Sequence, residues 1–173
     1  MDKPEHMKLG ISACLLGQNV RYDGGNRLDT VIMDTLGGSV KWVPVCPEVE
    51  CGLPVPRDVM RLEDAQGAYR LVAISTRLDH TDRLSTWAEM KLGELDREGL
   101  HGFIFKDRSP SCGLSGVAIC FPDGRIAGQG TGIFASQFRK RFPLLPVEGE
   151  GRLHDPALMT LFIKRLSGTN PSP

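Results

Sequence analysis

Short apolar runs alternate along the chain with stretches of helical spacing. Residues 8–13, 41–45, 69–74, 102–105 and 117–121 are compact runs of apolar or β-branched side chains, and each predicts a strand. Between them, Thr81–Glu98 carries Leu84, Trp87, Ala88, Leu92 and Leu95 on one stripe, which predicts an amphipathic helix with Asp79 or Thr81 placed to cap its start. Shorter helices are predicted over 28–36 and 132–142. A last one is predicted over 155–166, with Pro156 in its first turn. Strands alternating with helices predict an α/β fold: a single layered domain over 8–166, its sheet mostly parallel and flanked by helices in a Rossmann-like manner. The glycine-rich stretch 108–132 is where a hairpin would replace a crossover. Residues 1–7 read as a disordered or tag-like start, and 167–173 as a flexible tail rich in Ser, Pro and Asn.

Charge narrows the range of partners. Lys plus Arg and Asp plus Glu number 21 each, so no overall field draws the chain to nucleic acid or membrane. A nucleic-acid contact must then rest on particular residues. Arg139-Lys140-Arg141 is the best candidate, although cations at a helix end more often complement its dipole. No apolar run approaches the roughly 18–20 residues that span a bilayer. The polar start has no signal-like stretch, so a cytoplasmic protein with reduced thiols is expected. Five cysteines in that setting point to metal or redox chemistry rather than disulfides.

Three of them share a position. Cys14 follows the run 8–13, Cys46 follows 41–45, and Cys112 lies a few residues beyond 102–105. In open α/β sheets ligands bind outside the carboxyl ends of the strands, so three strand ends would bring three thiols to one edge. Soft thiolates suit an iron–sulfur cluster or zinc. Spacings of 32 and 66 residues match neither a zinc knuckle nor a ferredoxin run. Buried cysteines acting as small hydrophobes remain the plain alternative. Cys51, five residues after Cys46, is near enough to be a fourth ligand, whereas Cys120 lies in an apolar run and reads as core. Glu48, aimed by the stiff Pro47, is a candidate general base, and Glu50 is expected to face solvent. Ser109 and Ser111 precede Cys112 and are placed either to bind substrate or to cap a helix. Arg21-Tyr22-Asp23-Gly24-Gly25 reads as a turn. The alternating Gly128, Gly130 and Gly132 lack the context of a nucleotide loop.

Ser12-Ala13-Cys14-Leu15-Leu16-Gly17, Arg21-Tyr22-Asp23-Gly24-Gly25, Val45-Cys46-Pro47-Glu48, Gly52-Leu53-Pro54 with Pro56-Arg57, and Ser109-Pro110-Ser111-Cys112-Gly113 occur in this order. Together they resemble the thiouracil desulfidase (TudS-like) family from about residue 8 to 132. The stretch 142–155 resembles the subgroup acting on thiouridine in tRNA. In that subgroup a second domain often follows, which a chain ending at Pro173 would lack. The resemblance implies a 4Fe-4S cluster on Cys14, Cys46 and Cys112 with one iron open. It implies Glu48 as the residue that activates water and Ser109 as a substrate-orienting or proton-relaying group. Ser111, Tyr22 and Asp23 would shape the substrate pocket. The expected reaction is hydrolytic, C=S to C=O with release of hydrosulfide, on a small thiopyrimidine or on thiouridine in tRNA. Many relatives carry Gly at the position of Cys51, so a fourth thiol is not implied. A zinc- or cluster-bearing structural or sensor module without catalysis is the competing expectation.

Overall fold

The computed structural model describes residues 7–168. Met7–Ser12 forms β1, Val40–Val45 β2, Gly102–Phe105 β5 and Val147–Gly149 β8. They make a four-stranded sheet in the order β2-β1-β5-β8 in which every pair is parallel. Both faces of this sheet are covered, as crossover connections require. In β5 the alternation is plain: Phe103 and Phe105 stack on one side at 4.2 Å, while Ile104 joins the core on the other. The first side is filled by α3 (Thr81–Glu98) and α4 (Ile133–Arg141), whose Phe134 and Phe138 close an aromatic cluster with the two β5 rings. The second side is filled by α1 (Thr30–Leu36), the short α5 (Glu150–Leu153) and α6 (Pro156–Ser167) through Ile32, Leu36, Leu153, Met159 and Phe162.

The alternation of strands and helices thus gives the expected α/β domain with a parallel sheet, but a second sheet stands beside it. It runs β4 (Ala68–Ala73), β3 (Met60–Ala65), β6 (Val117–Cys120), β7 (Ile126–Gly130). Only its β3–β6 pair is parallel. The hairpin expected within 108–132 is the β6–β7 pair. The predicted helices hold to within two residues, because their caps are local: Asp29 accepts from the Ile32 amide at 3.1 Å, and Asp155 accepts from Ala157 at 2.8 Å. At α3 the cap residue is His80. Asp79 takes the Thr81 amide at 2.9 Å, while the Thr81 hydroxyl accepts the Leu71 amide of β4. Met7 already pairs in β1 and Ser167 closes α6. The rest of the expected start and tail, 1–6 and 169–173, lies outside the described residues. Among the described residues no helix is long and apolar enough to cross a membrane.

Candidate active site

The carboxyl ends of β1, β2 and β5 open onto one cavity of about 420 Å³. Cys14 sits in a single 3-10 turn, Ala13–Leu16, directly after β1. Cys46 caps α2 (Pro47–Glu50) directly after β2. Cys112 is carried by the loop after β5. All three line the cavity, as do Glu48, Ser109, Ser111 and Tyr22. Asp23 does not. Its carboxylate accepts the Gly25 amide at 3.0 Å and so closes the exposed turn, and that hydrogen bond holds its pKa below the ordinary value.

The Cys112 loop is held by the start of α4. The first amides of a helix lack internal partners. Here Gly132 N donates to Gly113 O at 2.7 Å, Ile133 N to Pro110 O at 3.1 Å, and Ala135 N to Ser111 O at 3.2 Å. The fit is close enough that a β-carbon on Gly132 would stand 2.6 Å from the Ser111 carbonyl carbon.

Burial dominates the chemistry of the thiols. It pushes Cys46 up to about 11 and raises Cys112 and Cys14 as well, since a lone thiolate is poorly solvated in an apolar wall. Local groups oppose it: the Ser12 hydroxyl at Cys112, and the Lys106 and Arg21 cations at Cys14. Such thiols keep their protons until a metal replaces them. Among the described residues no three His, Cys, Asp or Glu side chains gather closely enough to hold a single metal ion. Three thiols that line one cavity, near enough for Cys14 and Cys46 to act on Cys112, fit a 4Fe-4S core, each of whose irons takes one protein thiolate. Cys51 lies outside the cavity wall: its half-buried thiol points to Glu48 O at 3.2 Å. Cys120, expected in the core, is only half-buried at the end of β6.

Polar groups form a connected chain along the wall. Ser111 Oγ donates to Glu48 Oε1 at 2.9 Å and stands 3.0 Å from Ser109 Oγ. A carboxylate only accepts, so the single Ser111 proton goes to Glu48 and the Ser109 hydroxyl donates to Ser111. Ser109 Oγ also accepts the Cys112 and Ser111 amides at 3.0 and 3.3 Å; it closes a turn rather than the helix cap that is the alternative expectation, since no helix stands between β5 and β6. Glu50 is exposed, as expected, and its carboxylate also accepts the Cys46 amide at 3.0 Å and pairs with Lys91 at 2.9 Å. Arg57, read from the sequence only as part of a loop motif, is 7% exposed and pairs with Glu48 at 2.7 Å. Nothing in local spacing marks that pair, because it joins a short helix to a loop that meets it only in the fold.

Fold and cavity together define an α/β protein with a cysteine-lined site at the carboxyl ends of its parallel strands. The chain matches the model of the 2-thiouracil desulfurase family over residues 9–150 and belongs to that family. Among solved structures it is similar to a 4Fe-4S-dependent thiouracil desulfidase, TudS (DUF523). The two are 34% identical, with 90% of this chain and 98% of that chain covered and a TM-score of 0.68. A comparison with curated proteins finds no match.

Proposed function

We propose that this chain is a desulfidase of thiolated pyrimidines, with a 4Fe-4S cluster held by Cys14, Cys46 and Cys112. The observation that carries the reading is that these three thiols, from three strand ends, line one cavity with the Glu48 carboxylate. Family membership and the likeness to TudS support it. When bound, the cluster supplies a Lewis-acidic iron that polarises the thiocarbonyl.

The chain's own residues handle water and protons. Glu48 Oε1 accepts a proton from the attacking water, whose oxygen becomes the carbonyl oxygen of the product. Once protonated, Glu48 donates to Ser111 Oγ, the two hydroxyl bonds reverse, and Ser109 passes a proton toward the leaving sulfur. Sulfur departs as hydrosulfide. Carbon keeps its oxidation state, so no electron donor is needed. Arg21 and Lys106, the latter paired with Glu150, lie beside Cys14 and offset part of the negative charge that thiolates and sulfide would bring into the cavity. Tyr22, 39% exposed at the cavity wall, offers a ring face to the pyrimidine. The role expected of Asp23 narrows to holding that turn.

The test is anaerobic purification with iron, sulfide and zinc analysis, followed by turnover of thiouracil and of thiouridine. Iron and acid-labile sulfide are expected in the wild type, in Cys51→Ala and in Cys120→Ala. They should be lost in Cys14→Ala, Cys46→Ala and Cys112→Ala. Glu48→Gln should keep both and lose turnover. Zinc without sulfide would overturn the mechanism in favour of a structural or sensor module.

A further inference from the structure

Glu48 stands in a helix of only four residues, too short to fix a flexible side chain by its own packing. The carboxylate is nevertheless held at both oxygens. Arg57 Nε donates to Oε2 at 2.7 Å and Arg57 Nη2 meets the same oxygen at 2.7 Å, while Ser111 Oγ reaches Oε1 at 2.9 Å. The rest of the guanidinium is spent on backbone. Nη2 also donates to Val20 O at 2.8 Å, and Nη1 donates to Pro54 O at 3.2 Å. The Arg57 amide donates to Tyr22 O at 2.9 Å. One residue therefore ties together the loop that carries Tyr22, the helix that carries Glu48, and the 54–57 loop. The pair is well buried, with side chains 7% and 12% exposed.

We propose that Arg57 is a positioning residue for the reaction: its fork occupies Glu48 Oε2 and leaves Oε1 as the oxygen that meets the attacking water. This rests on the desulfidase reading above. The guanidinium holds Oε2 with a hydrogen bond from Nε and a close ionic contact from Nη2, whereas Oε1 has one neutral donor, Ser111, and keeps acceptor capacity toward the cavity. With the guanidinium on Oε2 and Ser111 on Oε1, the carboxylate is held at both oxygens, and the planar guanidinium aims its donors where a point charge would not. Lysine in its place keeps the charge and loses the fork, along with the hold on Val20 and Pro54.

The experiment uses the full chain reconstituted anaerobically with iron and sulfide, comparing wild type, Arg57→Lys and Arg57→Ala with thiouracil as substrate. Both variants are expected to retain wild-type iron and sulfide. In Arg57→Ala, kcat should fall about 100-fold, the scale of a small misplacement of a reacting group, with KM changed by less than about threefold. Arg57→Lys should recover only part of that loss. Added guanidinium, below denaturing concentration, should raise kcat in Arg57→Ala and leave Glu48→Gln unchanged. Wild-type kcat in Arg57→Ala overturns the proposal. So does a rise confined to KM, which would make Arg57 a substrate contact. Loss of iron and sulfide in step with turnover in both variants would reduce it to a brace of the fold. Where Arg57→Ala does not fold, Arg57→Lys decides by the same measures. A wild-type chain that holds the cluster and turns over no thiopyrimidine removes the desulfidase reading itself, and the positioning role with it.

Discussion

Burial sets the behaviour of the cavity thiols before any metal arrives. A thiol whose pKa is raised in the folded chain binds its proton to higher pH than the same thiol in the unfolded chain. For Cys46 the two values are about 11 and 9.0. Between them the folded state holds more protons, so stability falls as pH rises through that window and is unaffected below it. The metal-free chain should therefore show two linked effects. Alkylation of Cys46 should be slow at neutral pH and climb about tenfold per unit toward pH 11, since the thiolate is the nucleophile. The denaturation midpoint should begin to drop above pH 9. An alkylation rate that levels off near pH 9 would mean that the cavity wall is open to water. At this scale the three cavity cysteines were legible because each follows a strand of the parallel sheet. The partners of Glu48 and Glu50 were not. Arg57 and Ser111 lie 9 and 63 residues from Glu48, and Lys91 meets Glu50 only through the packing of α3 on α2.

Elements hold the site by their ends. The Cys112 loop hangs on the first amides of α4, and Gly132 is the point of closest approach. In Gly132→Ala the new carbon would meet backbone atoms of Ser111 and Cys112 at 2.6–2.9 Å, and backbone cannot swing aside as a side chain can. The expected cost is about 1–3 kcal/mol of stability, the usual range for overpacking, together with weaker retention of iron and sulfide. Gly128→Ala in β7 is the control, because a β-carbon there meets nothing within 4 Å. Equal stability and equal iron in the two variants would show that the Cys112 loop is not clamped by α4. The same scale explains what patterning missed. Strand β3 carries Glu63 at 5% exposure, tied to Arg77 at 2.7 Å and Arg61 at 2.9 Å, so a charged residue occupies an inward position and hides the strand's apolar signal. Strand β8 has only three residues, and β7 carries two glycines among five, too little for a period to register.

Over the whole molecule, positive and negative side chains balance at 21 each, so long-range steering is weak and only local fields act on a substrate. The cavity wall is one such field: Arg27 and Arg108 line it beside Asp107, while Lys106 is paired with Glu150, Arg21 with Asp23 and Glu48 with Arg57. A second lies along α4 and the end of α6, where Arg139, Lys140 and Arg165 border an open groove while Arg141 is paired with Asp96. A free thiopyrimidine carries no phosphate, so its kcat/KM should change by less than about twofold between low and physiological salt. Thiouridine within tRNA would lay phosphates on one or both fields, and each phosphate neutralised adds about −0.7 to −0.9 to the slope of log affinity against log salt. Measuring kcat/KM for thiouracil and for thiolated tRNA across that salt range separates the two substrates by physics rather than by rate alone. The expectation from the balanced charge is a flat line for thiouracil and, for tRNA, a slope no steeper than a few phosphates allow. A steep slope abolished by Arg139→Ala with Lys140→Ala would instead assign the groove to RNA and make the polymer the substrate this surface is built to hold.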